Sequence, residues 1–256
     1  MQKPVLPLIL LTNDDGFDSP YLMALAKALC SVCDLYMLAP NGEQSGVGHA
    51  FTHRKALKLF RLDYDFEAYS ITGTPADCVK FAVTELFKEQ SFDLVISGVN
   101  VGENAGVSSI YSGTVAAARE AALWKLPAVA ISLEAKNDFM LSIAIDFALS
   151  MVQNKLYLEI PENTFWNLNF PNACSNTYQG IAVTSMGLDM FIDFYKNKDD
   201  LWHLEGYKDY SKAKKGSDDH ALHHSFASLT PLSLCSTNHV ELLRLHSLFD
   251  SSLAKG

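Results

Sequence analysis

The sequence predicts an α/β protein whose core is an open, doubly wound and mostly parallel β-sheet. A continuous apolar run over residues 5–11 is typical of a central strand that is covered on both faces. Ser19-Pro20 then predicts the start of a helix, and a second strand over 34–39 closes a β-α-β unit, a crossover that implies parallel strands. Strand and helix alternate four times, which is the pattern of doubly wound sheets.

The other elements follow in order along the chain. Residues 40–52 are rich in Gly, Asn, Ser and Gln and predict a loop, and the alternating stretches 55–62 and 67–71 predict strands of a small meander. The alternation then continues as a helix to about Lys88, a strand over 93–97, a glycine-containing loop over 98–113, a helix over 114–124, a strand over 128–132 and a helix over 137–153.

The pattern changes after about residue 160, where regular alternation gives way to isolated elements. The predicted elements there are strands over 166–170, 181–184 and 226–229, a polar and aromatic stretch over 188–224, and a terminal helix over 238–249. We therefore place a boundary near residue 172, between a main domain over 1–172 and a C-terminal segment over 173–256 that can return strands to the core.

Composition excludes several classes of protein. The 256 residues include 29 acidic and 20 basic side chains, and the net charge of -9 without a basic run argues against a nucleic-acid or anionic-membrane surface. No segment approaches the ~18 apolar residues of a transmembrane helix, and the N-terminal run lacks the features of a signal peptide. The 5 cysteines are sparse and odd in number, so we expect reduced thiols and a cytoplasmic protein.

Polar residues follow the predicted strands at their carboxyl ends, where ligands bind in open α/β sheets. Asp14 and Asp15 come directly after the first strand, and two adjacent carboxylates raise one pKa or require a cation between them. Mg²⁺ takes one or two carboxylates with neutral oxygens, which hydroxyls or amides of the later loops can supply. The alternative is that Asp-Asp-Gly forms a turn that Asp15 merely caps.

A second candidate site lies where residues 111–114, Tyr-Ser-Gly-Thr, open a helix behind a glycine-bearing loop. Backbone N–H groups at such a helix start, together with hydroxyls, can bind phosphate. The alternative is simple N-capping by Ser112 or Thr114. The sequence contains neither a P-loop nor a Gly-x-Ser-x-Gly nucleophile elbow, which excludes those two classes of site.

Seven segments together closely resemble the survival protein SurE family of nucleotidases. They are ILLTNDDG at 9–16, Ala39-Pro40 with Gln44-Ser45-Gly46, TGTPADCV at 72–79, SGVNVGENAG at 97–106, YSGTVAAA at 111–118, NLNFP at 167–171 and SLTPL at 228–232. They occur in matching order over nearly the whole chain. The weakest match is over residues 190–224, where Ser217-Asp218 replaces the usual Thr-Asp.

The resemblance implies a metal-dependent phosphatase of nucleoside 5′- and 3′-monophosphates with a Rossmann-like first part. One divalent ion per subunit, Mg²⁺ or Mn²⁺ with Ca²⁺ possible in a crystal, would be bound by Asp14, Asp15, Ser45 and Asn100. Phosphate contacts would come from Asn104, Ser112, Gly113 and Thr114. The C-terminal part would form an extended hairpin and an exchanged terminal segment that assemble homodimers or homotetramers.

The residues themselves agree on metal-assisted attack of water on phosphorus, with Asp14 and Asp15 as the catalytic pair. Which of the two is the general base stays open, as does a covalent aspartyl intermediate. The alternative functions are a regulator that binds a nucleotide or another phosphometabolite without turnover, and a phosphatase of short polyphosphate or sugar phosphates. The sequence identifies no residue that contacts the nucleobase.

Overall fold

The computed structural model describes residues 6–188 and 191–253. Its strands are β1 Leu8–Thr12, β2 Asp34–Pro40, β3 Leu59–Arg61, β4 Glu67–Ile71, β5 Leu94–Val101, β6 Ala128–Leu133, β7 Thr164–Phe170, β8 Ile181–Val183, β9 Phe191–Lys198, β10 Leu201–Lys208 and β11 Ala227–Ser233. Its α-helices are α1 Pro20–Leu29, α2 Pro75–Phe81, α3 Ser108–Tyr111, α4 Gly113–Leu123, α5 Asp138–Gln153, α6 Asp218–His223 and α7 His239–Leu253.

One large sheet of nine strands organises the fold, in the order β3-β4-β2-β1-β5-β6-β7-β11-β8. The strands from β4 to β7 in this order are all parallel, whereas β3 is antiparallel to β4 and β11 is antiparallel to β7. The strand order steps outward in both directions from β1, so loops that follow β1 and β5 meet at one edge. The predicted α/β class with a mostly parallel, doubly wound sheet is therefore confirmed.

Two apolar cores lie on the two faces of this sheet. Ile9 and Leu11 of β1 belong to the core that includes buried residues of α1 and α5, and Leu10 between them belongs to the core that includes α2 and α4. Successive side chains of a strand point to opposite faces, so an all-apolar strand serves both cores. This is why the continuous apolar run predicts a central strand, although residue 5 itself lies outside the described residues.

The two strands predicted as a small meander do pair antiparallel, as β3 and β4, but β4 also pairs in parallel with β2, so both belong to the main sheet. Alternation indicated strands correctly, but it carries no information on the partner of a strand. The predicted helix to Lys88 is α2 followed by a π-helical turn over Ala82–Leu86.

The predicted loop over 98–113 is partly regular structure. β5 continues to Val101 through a shift of its register with β6 between Ser97 and Asn100, and α3 occupies the later part. Gly98 has φ +134, and a Cβ there would lie 2.3 Å from the carbonyl oxygen of Ile131. Glycine thus allows the strand to bulge and continue, which carries Asn100 to the edge of the sheet.

The C-terminal segment contributes both to the main sheet and to a separate hairpin. β8 and β11 extend the main sheet beyond β7, whereas β9 and β10 form a two-stranded antiparallel sheet of their own. The boundary at residue 172 stays a prediction. Among the helices of the described residues, none has the length and apolar character that a membrane crossing requires.

Candidate active site

A cavity of about 710 Å³ opens at the carboxyl edge of the sheet, between the loops after β1, β2 and β5. The predicted site residues that line it are Asp14, Ser45, Asn100, Asn104 and Ser112. Asp15, Gly113 and Thr114 are neighbours of these in sequence, although they do not line the cavity themselves. Residues up to about a hundred positions apart in sequence thus lie around one cavity, because the carboxyl ends of parallel strands share one edge of the sheet.

Asp14 is buried against the start of α4. Its carboxylate accepts hydrogen bonds from the Thr114 N–H at 3.1 Å and from the Thr114 hydroxyl. Burial raises the pKa of Asp14, and the bonds from Thr114 oppose that rise. A Cβ at Gly113 would lie only 2.9 Å from the Cβ of Asp14, so this close approach of helix and carboxylate requires glycine.

Asp15 lies half-buried beside Asp14, where the local charge is strongly negative. Its pKa is raised to about 6, first by burial and then by the charges of Asp14 and Glu43. The Ser45 hydroxyl donates to Glu43 at 2.8 Å, which places a third carboxylate next to the pair. A bound cation would reduce the repulsion among these carboxylates. Carboxylate oxygens are also the ligands that hard divalent cations prefer.

Asn100 offers an amide oxygen at the same edge. Its Nδ2 donates to the carbonyl oxygen of Gly102 at 2.6 Å, which leaves Oδ1 as the atom that can bind a cation. Within residues 6–188 and 191–253, no group of three or more His, Cys, Asp or Glu side chains is arranged to bind a metal ion. Any cation at this edge would therefore depend on two adjacent carboxylates with neutral oxygens and water.

Asn104 is fixed by a clamp of buried side chains from β6 and β7. The Asn169 Oδ1 accepts from the Asn104 N–H at 2.7 Å, and the Asn167 Nδ2 donates to the Asn104 carbonyl oxygen at 2.8 Å. The Asn104 Nδ2 in turn donates to the Ser132 hydroxyl at 2.8 Å. Asn167 and Asn169 are 0% exposed, so these bonds form where water cannot replace them.

The helix start at 112–114 is compatible with both roles that its sequence allows, helix capping and phosphate binding. Ser112 caps α4 by accepting from the Val115 N–H at 3.1 Å, and it also lines the cavity. The hydroxyl and N–H of Thr114 are engaged by Asp14. Direct phosphate contacts of Gly113 and Thr114 therefore stay predictions, whereas capping by Ser112 is a feature of the structure.

Side chains that the sequence did not identify also line the cavity. Tyr111 lines it beside Ser112, and Asp193, Tyr195 and Leu204 reach it from the β9–β10 hairpin. Residues 191–198 and 201–208 do not alternate regularly between apolar and polar side chains, so only the docking of the hairpin determines which face meets the cavity.

Comparisons with known proteins agree with this geometry. The family model described as survival protein SurE matches residues 9–193. The chain is 34% identical to the 5′-nucleotidase SurE of Alkaliphilus metalliredigens, covering 94% of this chain and 98% of that protein. It is 36% identical to the 5′-nucleotidase SurE of Aquifex aeolicus, covering 96% of this chain and 100% of that protein.

A solved structure extends the likeness to three dimensions. The crystal structure of the SurE protein from Aquifex aeolicus superposes with a TM-score of 0.82 at 34% sequence identity, covering 94% of this chain and 99% of that one. The family model covers residues 9–193, and the curated relatives and the solved structure extend the similarity over nearly the full length. The chain therefore belongs to the SurE family.

Proposed function

We propose that this protein is a metal-dependent 5′-nucleotidase that hydrolyses nucleoside monophosphates to nucleoside and phosphate. The observation that carries the proposal is the buried Asp14, which lines the cavity and accepts from the start of α4, with the half-buried Asp15 next to it. Relatives that carry the name 5′-nucleotidase SurE support it over nearly the whole chain. We extend the proposal to 3′-monophosphates.

The residues at this edge fit one divalent cation per subunit. Asp14 and Asp15 would bind it with their carboxylates, and Ser45 and Asn100 with a hydroxyl and an amide oxygen. The donor set suits Mg²⁺ or Mn²⁺, and Ca²⁺ is compatible with the same oxygens. The raised pKa of Asp15, about 6, supports this assignment, because after burial its causes are the charges of Asp14 and Glu43, which a cation would offset.

When bound, such a cation acts as a Lewis acid on a phosphate oxygen and lowers the pKa of water. The protein's own groups would orient the substrate, with the Ser112 hydroxyl and the Asn104 side chain directed at the phosphate oxygens. Thr114 holds the Asp14 carboxylate in place. Because Thr114 already donates two hydrogen bonds to Asp14, we propose Asp15 as the carboxylate that accepts the proton of the attacking water.

We also propose that the C-terminal segment assembles homodimers or homotetramers in the cytoplasm. The β9–β10 hairpin supports this, because outside the cavity lining it also carries exposed large apolar side chains, among them Phe194, Leu201 and Trp202. Contiguous exposed apolar surface commonly marks an interaction site. The 5 free cysteines are compatible with a reducing compartment.

The test of the proposed function is phosphate release from AMP and GMP before and after removal of metal. We expect hydrolysis to stop after treatment with a chelator and to return when excess Mg²⁺ or Mn²⁺ is added. A regulator without turnover would bind AMP and release no phosphate under any metal. Activity that survives exhaustive chelation would contradict the metal assignment.

The affinity for metal should depend on pH through Asp15. The pKa of Asp15 is raised to about 6 in the folded protein, against an ordinary value of 3.8. Without metal, the ionisation of Asp15 therefore lowers the stability of the fold as pH rises between these two values. Below about pH 6 a proton competes with the cation, and we expect the Kd for Mn²⁺ to rise by up to about tenfold per pH unit. Thermal shift titrations with Mn²⁺ at pH 5 and pH 7.5 measure this.

The matched controls for that titration are two substitutions of aspartate by asparagine. Asp15→Asn should weaken the Mn²⁺-induced shift, since it removes a ligand, and should reduce the pH dependence of what remains, since it removes a competing proton. Asp63→Asn changes an exposed aspartate between β3 and β4 and should leave that dependence as in the wild type. Equal pH dependence in all three proteins would contradict the role of Asp15.

A further inference from the structure

The β9–β10 hairpin has two distinct faces, and only one of them meets the cavity. Tyr195 and Leu204 are cross-strand partners, and Asp193 lies two residues before Tyr195, so the three side chains share a face. All three line the cavity. The opposite face carries the ion pair between Lys196 and Glu205 and also Tyr207. We call the first face the inner face and the second the outer face.

The hairpin is held over the cavity by a largely buried lysine at its base. The ammonium group of Lys208, on the inner face, pairs with Glu103 and lies 3.5 Å from Asp219. Asp218 accepts from the Gly106 N–H at 2.7 Å. The pair with Glu103 therefore ties the hairpin to the loop after β5, which also carries Asn104.

The cavity extends well beyond the phosphate end of the site. Asp14 and Ser112, which belong to the proposed phosphate site, line the same cavity as the inner face of the hairpin. Its volume of about 710 Å³ falls in the range of pockets for drug-sized ligands, and a phosphate group alone would leave most of it empty. The remaining space is bordered by an aromatic ring, an aliphatic side chain and a carboxylate.

We propose that the inner face of the hairpin is the nucleoside subsite, where the Tyr195 ring and Leu204 contact the nucleobase and Asp193 accepts hydrogen bonds from the ribose or the base. This inference rests on the proposed function and names the part of the substrate that the sequence left without partners. Every nucleobase has a π-face, so an aromatic platform tolerates different bases. Asp193 would repel a further phosphate, so the subsite favours monophosphates.

The experiment compares two tyrosines of the same hairpin on two substrates. Tyr195→Ala removes the ring of the inner face, and Tyr207→Ala is the matched control on the outer face; the two side chains are 64% and 56% exposed. We expect Tyr195→Ala to lower kcat/KM for AMP by about tenfold, which is typical for one stacked base. Glycerol 2-phosphate, which has no base, should be cleaved within about twofold of wild type by both variants.

A third variant separates the ring from the hydroxyl. Tyr195→Phe should keep most of the AMP activity, because stacking depends on the ring. The inference is overturned if Tyr195→Ala cleaves AMP like the wild type, if it loses both substrates equally, or if Tyr207→Ala shows the same selective loss.

Failure of the proposed function gives a different result. A wild type that releases phosphate from neither ester with any metal would contradict the nucleotidase assignment. Equilibrium dialysis of AMP then tests the subsite by itself. Binding that is weakened by Tyr195→Ala and unchanged by Tyr207→Ala supports it, and equal binding by both variants overturns it.

Discussion

Asp14→Asn is expected to lower phosphate release from AMP by more than about 10²-fold, because loss of a metal ligand should exceed the 10- to 100-fold effect of residues that only support ligands. The substitution keeps the shape of the side chain and removes its charge. An asparagine can still accept one hydrogen bond from Thr114, so we expect the fold to survive. The measurement is kcat/KM at saturating Mg²⁺ or Mn²⁺, together with thermal melting.

The stability of Asp14→Asn without metal tests the role of Asp14 independently of turnover. Burial already disfavours the ionised form of Asp14, as its raised pKa indicates. A neutral asparagine therefore need not destabilise the metal-free protein, whereas the stabilisation by added Mn²⁺ should be lost. Asp18→Asn is the matched control, since Asp18 is an exposed aspartate four residues later in the same loop. Wild-type turnover by Asp14→Asn would show that the site is assigned wrongly.

The fold and the location of the site were predictable because both depend on local pattern. Buried apolar runs and helical spacing predict the order of strands and helices, and parallel topology brings the ends of β1, β2 and β5 to one edge. Five predicted residues, Asp14, Ser45, Asn100, Asn104 and Ser112, accordingly line one cavity. Their roles in binding metal and phosphate stay predictions.

The parts that escaped prediction depend on contacts that sequence periodicity does not encode. The pairing of β4 with β2 and the bulge at Gly98 both depend on which backbone groups hydrogen-bond to each other across the sheet. The inner face of the hairpin is selected by the distant contact of Lys208 with Glu103. The NLNFP segment was identified as a motif, but its two asparagines acquire a role only when β7 lies beside the loop that carries Asn104.

That clamp should be essential for activity although neither asparagine lines the cavity. Removing either amide leaves a backbone group of Asn104 unpaired in a buried position, which costs about 1–3 kcal/mol. The loop can reduce this cost by moving, and the movement would displace the Asn104 side chain from the phosphate end. We expect Asn167→Leu and Asn169→Leu each to lower kcat/KM for AMP by roughly 10- to 100-fold, in the range of residues that position ligands.

The same substitution at the two positions should have unequal effects. Asn169→Asp keeps an oxygen that can accept from the Asn104 N–H, whereas Asn167→Asp replaces the donor by an acceptor that faces the Asn104 carbonyl oxygen. Both side chains are equally buried in one strand, so a general effect of a buried acid would be similar in both. We therefore expect Asn169→Asp to retain more activity per folded molecule. If both variants lose stability alike and their folded fractions keep wild-type kcat and KM, the asparagines act on the fold alone and the clamp has no role in positioning Asn104.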